Sequence, residues 1–285
     1  MNDVVTKPDF LIIGAMKAGT TTLYSDLCVH PSLCMPSDKE PWILTKYDSI
    51  SDIQNAYKFH FKDAINNQLC GEASTFYTSL PMYKGVVEKT YQLCGGDLKL
   101  IMILRDPIER IISHLKHDLA GRHISIDSVD DAVFSIERYV AISDYGMQLR
   151  PWVERFGLSN LYCISFNEYK NNRINVVREA VRFLGVDEDR FDINESIKNS
   201  SEELLYTGKM SATLVSNKLY RTLIRPLFTD NTRHFLRKLV LQKAIVPEFE
   251  LSTQTIDQLK NKLQHVESDV QKLIGRPIQI NSYDY

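Results

Sequence analysis

Glycine, lysine and threonine residues near the start of the chain have the spacing of a loop that binds an anion. Gly14 and Gly19 bound a short loop that contains Lys17. Glycine lets backbone N–H groups approach a ligand closely, and the first turn of a helix offers N–H groups that lack partners within the helix. A phosphate-like group is therefore the predicted ligand. The candidate binding residues are Lys17, Ala18, Gly19, Thr20, Thr21 and Thr22.

The loop differs from the one that binds nucleoside triphosphates, in which lysine and then serine or threonine follow the second glycine. Here Thr20 follows Gly19, and Lys17 lies inside the loop. The sequence also offers no obvious apolar strand that ends in a magnesium-binding aspartate. This pattern weakens a magnesium–nucleotide interpretation, and a glycine-containing turn that binds nothing is the other alternative.

A second group of candidate residues follows the apolar segment Lys99–Leu104. Asp106 suits the N-cap of a helix whose first residue is Pro107, and Ser113 lies two turns into that helix. Arg105 offers a forked donor and Ser113 a hydroxyl, so the two side chains could bind one dianion. The alternative for Arg105 is a surface cation paired with Asp106.

Two further side chains are candidates for proton transfer or acceptor binding. Glu72 follows a short segment that we expect to be a strand ending at Gly71, and a carboxylate there could act as a general base. A helix cap or a surface carboxylate is the alternative. His117 lies one turn beyond Ser113 on the same predicted helix. The alternative is a surface residue, as a lone histidine on a helix usually is.

Short apolar segments alternate with helical patterns along the chain, which predicts an α/β fold with a central parallel sheet flanked by helices. Ligands in such folds bind beyond the carboxyl ends of the strands. We therefore expect Lys17, Glu72 and Arg105 to meet at one edge of the sheet. The predicted strands are Phe10–Ile13, a segment ending at Gly71, Lys99–Leu104 and Leu161–Ser165.

The segment from Pro8 to Leu23 resembles the 5′-phosphosulfate loop of sulfotransferases that use 3′-phosphoadenosine 5′-phosphosulfate (PAPS). The variant is closer to the carbohydrate-type enzymes, which include the heparan sulfate N- and 3-O-sulfotransferases and bacterial relatives, than to the cytosolic steroid and phenol enzymes. Residues 105–113 are similar to the 3′-phosphate segment of that family, and Glu72 to Tyr77 to its Glu-x-[Ser/Thr]-x-x-Tyr segment. The resemblance covers nearly the whole chain and is loose between residues 190 and 250.

The resemblance implies transfer of a sulfuryl group from PAPS to a hydroxyl or amine of a carbohydrate or small polar metabolite, with 3′-phosphoadenosine 5′-phosphate (PAP) as product and no metal. Lys17 would stabilise the leaving oxygen, Glu72 would be the general base, and His117 would lie near the acceptor. In related enzymes a pair like Lys39–Glu40 lies near the active site, and a solvated loop pair is the alternative here. The alternatives are a P-loop small-molecule kinase and a nucleotide-binding protein without activity.

Length and composition agree with one domain over residues 1–285. A net charge of −2 gives no reason to expect a nucleic acid partner, and no apolar run reaches the roughly 20 residues that span a bilayer.

No signal peptide is evident, so the predicted location is the cytoplasm. The possibility of a homo-oligomer is left open. The five cysteines have no zinc-binding spacing. Residues 194–212 are expected to shape the nucleotide or acceptor pocket. The basic stretch 217–243 is expected to face solvent, with an anionic acceptor or a membrane surface as the alternatives.

Overall fold

We describe the protein from a computed structural model. The structure describes residues 6–36, 38–65, 67–121, 123–188, 205–207, 241–243 and 248–282. The strands are β1 (Phe10–Gly14), β2 (Leu33–Cys34), β3 (Leu69–Ala73), β4 (Lys99–Leu104), β5 (Leu161–Ser165), β6 (Leu205–Thr207) and β7 (Leu241–Lys243).

The helices follow these strands in alternation over the first two thirds of the chain. They are α1 (Thr20–Cys28), α2 (Ile43–Lys46), α3 (Ile50–His60), α4 (Val86–Cys94), α5 (Pro107–Ala120), α6 (Val129–Ser135), α7 (Arg138–Ala141), α8 (Tyr145–Phe156), α9 (Phe166–Asn171), α10 (Arg173–Leu184), α11 (Thr253–Leu263) and α12 (Val266–Ile274). Short 3₁₀ turns lie at Thr75–Thr78, Ile126–Ser128 and Leu158–Asn160.

Five strands form one parallel sheet in the order β2-β3-β1-β4-β5. Strands β1 and β4 lie inside the sheet and are almost wholly buried apolar residues, as expected for a sheet covered on both faces. Helix α1 packs on β1 to β3 and α10 packs on β5. The predicted fold class, α/β with a central parallel sheet flanked by helices, is confirmed.

The strand that carries Glu72 is longer than predicted, and this changes the position of the carboxylate. We expected the strand to end at Gly71, but β3 continues to Ala73. Leu11 and Ile12 of β1 pair with Glu72 and Ala73. Glu72 is therefore a strand residue, 1% exposed, rather than the first residue after the strand.

Two predicted helices are interrupted. The pattern over residues 129–140 forms α6 and α7, and the one over 251–275 forms α11 and α12. The apolar stripe continues through each break, which is why the sequence pattern predicts one helix in each region. All five cysteines are free thiols.

The chain divides into two compact units. The first unit, segments 1–114, 130–195 and 251–285, contains the parallel sheet. The second, segments 115–129 and 196–250, contains the antiparallel pair β6–β7. The prediction of one domain stays a prediction, and most of 194–212 and 217–243 lies outside the described residues.

Among the described helices, none has the length and apolarity needed to cross a bilayer. The cytoplasmic location is a prediction.

Candidate active site

The loop between β1 and α1 has the backbone conformation of an anion-binding turn. Lys17 and Gly19 have φ angles of 68° and 91°, in the left-handed region that glycine adopts most easily. The Ala15 N–H donates to the Ile103 carbonyl at 3.0 Å, which fixes the loop to β4. Gly19 is the N-cap of α1, and no side chain caps this helix. The Thr22 N–H donates to the Gly19 carbonyl at 3.0 Å, so the N–H groups that this turn offers to a ligand are those of Thr20 and Thr21.

Small residues are required where the loop packs. A Cβ atom on Gly14 would lie 2.2 Å from the Thr78 hydroxyl oxygen, so a side chain does not fit there. Thr78 donates that hydroxyl to the Ile13 carbonyl at 2.8 Å. Ala18 is fully buried, Lys17 is half-buried and Thr21 is exposed. The loop is thereby held between β4 and the turn after β3.

Arg105 reaches this loop from the end of β4. Its Nη1 donates to the Lys17 carbonyl at 3.2 Å, and its Nε donates to the Glu109 carboxylate at 3.2 Å. Its guanidinium carbon lies 4.8 Å from the centre of the Phe166 ring, a cation–π contact. The buried Tyr145 hydroxyl accepts from the Arg105 N–H and donates to the Arg105 carbonyl at 2.8 Å. The predicted convergence of Arg105 with the loop is therefore present.

The helix after Arg105 begins as the sequence predicts. The Asp106 carboxylate accepts from the N–H groups of Ile108 and Glu109 at 2.9 and 3.0 Å, so Asp106 is the N-cap. Ser113 is half-buried two turns further along α5. His117 follows one turn later but belongs to the second compact unit, so its place at the acceptor stays a prediction.

The structure buries Glu72 completely among hydroxyl groups. Tyr57 and Tyr77 donate to its Oε1 at 2.8 and 2.5 Å, and Ser74 donates to its Oε2 at 2.7 Å. Burial raises the pKa of Glu72, and the three donors oppose that rise. A raised pKa strengthens a base, but three donors and 1% exposure leave little access for an acceptor hydroxyl.

A second carboxylate, Glu40, lies beside the carboxyl end of β3. Its N–H donates to the Ala73 carbonyl at 2.9 Å, and its φ angle is 60°. Lys39 pairs with its Oε1 at 2.6 Å, and the Glu40 side chain is 26% exposed. The indole N–H of Trp42 donates to Oε2 at 3.3 Å.

Glu40 is the residue that the sequence analysis placed near the site without giving it a role. The signal was the Lys39–Glu40 pair itself, ahead of Pro41 and Trp42. Nothing in the local sequence indicates that the loop after β2 folds back onto β3, because that contact is a long-range backbone hydrogen bond to Ala73. This hydrogen bond places Glu40 beside the residue that follows Glu72, and the negative charge of Glu40 adds to the rise in the pKa of Glu72 that burial causes.

These residues meet at the carboxyl edge of the sheet. The Ser74 N–H donates to the Ile12 carbonyl at 3.1 Å, which joins the end of β3 to the end of β1, just before the loop. The anion-binding loop, an arginine tied to it and an accessible carboxylate beside the next strand therefore lie along the edge where ligands bind in parallel α/β folds. Among the described residues, no group of three or more His, Cys, Asp or Glu side chains is arranged to hold a metal ion.

Comparison with known proteins gives the family. Residues 7–265 match the family model described as "Sulfotransferase domain", and the chain belongs to the sulfotransferase family. It is 37% identical over 107 residues to the membrane-associated sulfotransferase kil1 of Dictyostelium discoideum, covering 37% of this chain and 22% of that protein. It is 24% identical over 194 residues to the mouse heparan sulfate glucosamine 3-O-sulfotransferase 3B1, covering 63% of this chain and 46% of that protein. The chain spans less than half the length of both relatives.

The fold is also similar to that of a solved structure. The crystal structure of a sulfotransferase from Alicyclobacillus acidocaldarius superposes with a TM-score of 0.65 at 20% identity, covering 96% of this chain and 98% of the other. This likeness supports the α/β fold. The predicted resemblance to the sulfotransferase family is confirmed.

Proposed function

We propose that the protein transfers a sulfuryl group from PAPS to a hydroxyl or amine of an acceptor. The observation that carries this proposal is the pairing of Arg105 with the backbone of the anion-binding loop, in a chain of the sulfotransferase family. The loop and the start of α1 suit the 5′-phosphosulfate, and Arg105 with Ser113 suits the 3′-phosphate. PAP is then the product.

The reaction needs positioning and charge stabilisation more than covalent chemistry. The bond between sulfur and the bridging oxygen breaks, a bond from sulfur to the acceptor oxygen or nitrogen forms, and PAP leaves with the electron pair. Lys17 stabilises the negative charge that develops on the bridging oxygen, together with the N–H groups of Gly19 and Thr20. The threonines at positions 20 to 22 hold the 5′ group. The transferred group carries a single negative charge, so lysine and N–H donors can serve without a metal.

We assign the proton transfer to Glu40. A general base must come within about 3 Å of the proton that it removes. Both carboxylates accept hydrogen bonds, but Glu40 is 26% exposed and Glu72 is 1% exposed, so Glu40 is the one of the two that an acceptor can reach. Glu72 then acts as a positioning residue, because it holds Ser74, whose hydroxyl accepts from the Trp42 N–H at 3.2 Å. The role predicted for Glu72, the base itself, is the competing proposal.

The test is incubation with PAPS and a panel of hydroxyl and amine acceptors, with detection of PAP and of a mass gain of one sulfate. Thermal shift with PAP and with ATP and magnesium tests the kinase alternative, since a ligand that binds the native state raises the melting temperature. We expect strong stabilisation by PAP. Equal stabilisation by ATP and magnesium with no sulfated product would refute the proposal. PAP binding without any turnover would favour the inactive nucleotide-binding protein.

A further inference from the structure

Three aromatic rings beside Glu40 form a partly exposed stack. The ring centres of Trp42 and Phe76 are 5.3 Å apart with planes at 22°, and those of Phe76 and Tyr83 are 5.3 Å apart with planes at 24°. Phe76 lies in the middle and is half-buried. Trp42 is 42% and Tyr83 37% exposed, although large aromatic side chains are usually buried. We call these three residues the aromatic stack.

The backbone holds Trp42 in this exposed position at an energetic cost. Glu40 and Trp42 have φ angles of 60° and 52°, in the left-handed region that residues with side chains rarely adopt. Such conformations are energetically unfavourable and persist where the surroundings fix them, often at functional sites. Here the Glu40 N–H is fixed by the Ala73 carbonyl and the Trp42 N–H by the Ser74 hydroxyl.

The stack is continuous with the proposed base. The Trp42 indole N–H donates to Glu40 Oε2 at 3.3 Å, and the Thr75 hydroxyl contacts Oε1 at 3.4 Å. A molecule that lies against the exposed part of Trp42 therefore has its edge next to the carboxylate. Lys39 is already paired with Glu40 at 2.6 Å, so the ring surface, rather than this cation, is the recognition feature.

We propose that the aromatic stack binds the acceptor, and that the acceptor is an uncharged molecule with a flat apolar ring face next to its hydroxyl group. An aromatic ring and the C–H face of a neutral sugar share this chemistry. Stacking on Trp42 places the hydroxyl at Glu40, which takes its proton as the new bond to sulfur forms. This inference rests on the proposed sulfuryl transfer and names the acceptor class of the same site.

The test compares Trp42→Ala and Trp42→Phe with the wild type, using PAPS and three kinds of acceptor. The ring-bearing acceptors are 2-phenylethanol and methyl β-glucopyranoside, and 1-butanol is the acyclic control. We expect kcat/KM for one ring-bearing acceptor to fall at least about ten-fold in Trp42→Ala, mainly through KM, as expected for loss of an aromatic anchor. Trp42→Phe keeps a ring and should recover most of the loss.

Matched controls separate this inference from the proposed function. Phe59 is 73% exposed on α3, and Phe59→Ala should leave kcat/KM unchanged. PAP affinity should also be unchanged in both Trp42 variants. The ratio of kcat/KM for 2-phenylethanol to that for methyl β-glucopyranoside distinguishes an aryl acceptor from a sugar.

Several results would overturn the inference while leaving sulfuryl transfer intact. They are equal kcat/KM for wild type and Trp42→Ala, turnover of 1-butanol as efficient as that of the ring-bearing acceptors, and sulfation of only a polyanionic oligosaccharide. Lack of both PAP binding and sulfated product would instead refute the proposed function, and this inference with it.

Discussion

Replacing each of the two carboxylates by glutamine decides which one is the base. If Glu40 is the base, Glu40→Gln should lower kcat by roughly 10²–10⁴, the usual contribution of a positioned general base. Glu72→Gln should then change kcat only a few-fold. Both variants should bind PAP within a few-fold of wild type, because neither carboxylate contacts the anion-binding loop or Arg105 in any described hydrogen bond.

The structure indicates how far each substitution disturbs the fold. The Lys39–Glu40 pair is partly exposed, and such pairs contribute about 0–1 kcal/mol, so Glu40→Gln should shift the melting temperature by only about 2 °C. At position 72 the amide oxygen can still accept from both tyrosines. Each hydrogen bond to a neutral acceptor contributes about 0.5–1.5 kcal/mol to stability, and each one to a charged acceptor about 1.5–3 kcal/mol. Glu72→Gln loses that difference, but it also removes the cost of burying a charge.

The assay is acceptor-dependent formation of PAP, measured from pH 5 to 9, with calorimetry for PAP affinity. In wild type the acidic limb of kcat/KM reports the base, and this limb should disappear in Glu40→Gln. The reasoning is refuted if Glu72→Gln loses 100-fold or more in kcat with intact PAP affinity while Glu40→Gln turns over normally. Glu72 would then be the base despite its burial. If neither substitution matters, His117 becomes the candidate.

Three further predictions follow. Arg105→Ala should weaken PAP binding by about 10- to 100-fold, because charge-assisted hydrogen bonds to the 3′-phosphate are lost. The affinity for adenosine 5′-phosphate, which lacks that phosphate, should be nearly unchanged. Equal losses of affinity for the two nucleotides in calorimetry would mean that Arg105 does not bind the 3′-phosphate. Burial raises the pKa of Glu72 above its ordinary 4.5, so the folded state holds this proton more tightly. The free energy of unfolding should therefore fall as the pH rises from about 4.5 through the raised pKa, and denaturant titrations of Glu72→Gln should lack that slope. EDTA should not abolish turnover, and recovery on adding magnesium after a complete loss would favour a kinase.

The parts of the site that sequence analysis predicted are those encoded locally. Strand β4 agrees with its predicted bounds, and the Asp106 cap fixes where α5 begins. A buried apolar strand, a capping residue and a glycine loop each leave a signal within a few residues. The position of Arg105 in the fold follows from these signals, because it lies directly between the end of β4 and the helix cap.

The carboxylates were harder to assign because their surroundings come from distant parts of the chain. Glu72 receives donors from Tyr57 on α3 and from Tyr77 after β3, and the contact with Tyr57 requires α3 to pack against the sheet. Four successive residues of β3, Cys70 to Ala73, are buried, as expected for a sheet covered on both faces, and a strand longer by two residues placed Glu72 among them. Glu40 depends on a backbone bond to Ala73 that no local pattern predicts.

The proposed reaction has a nucleotide side and an acceptor side, and both lie along the carboxyl edge of the sheet. The nucleotide side is built by β1, β4 and α5, where Arg105 is fixed by the Lys17 carbonyl and by Tyr145. The acceptor side is built by β3, its 3₁₀ turn and the loop after β2, where the N–H groups of Glu40 and Trp42 donate to the Ala73 carbonyl and the Ser74 hydroxyl. The hydrogen bonds from Ser74 to Ile12 and from Thr78 to Ile13 join the two sides at the end of β1. Both sides are attached to the end of the same strand. This suits in-line transfer, because the leaving group and the attacking group must stay aligned.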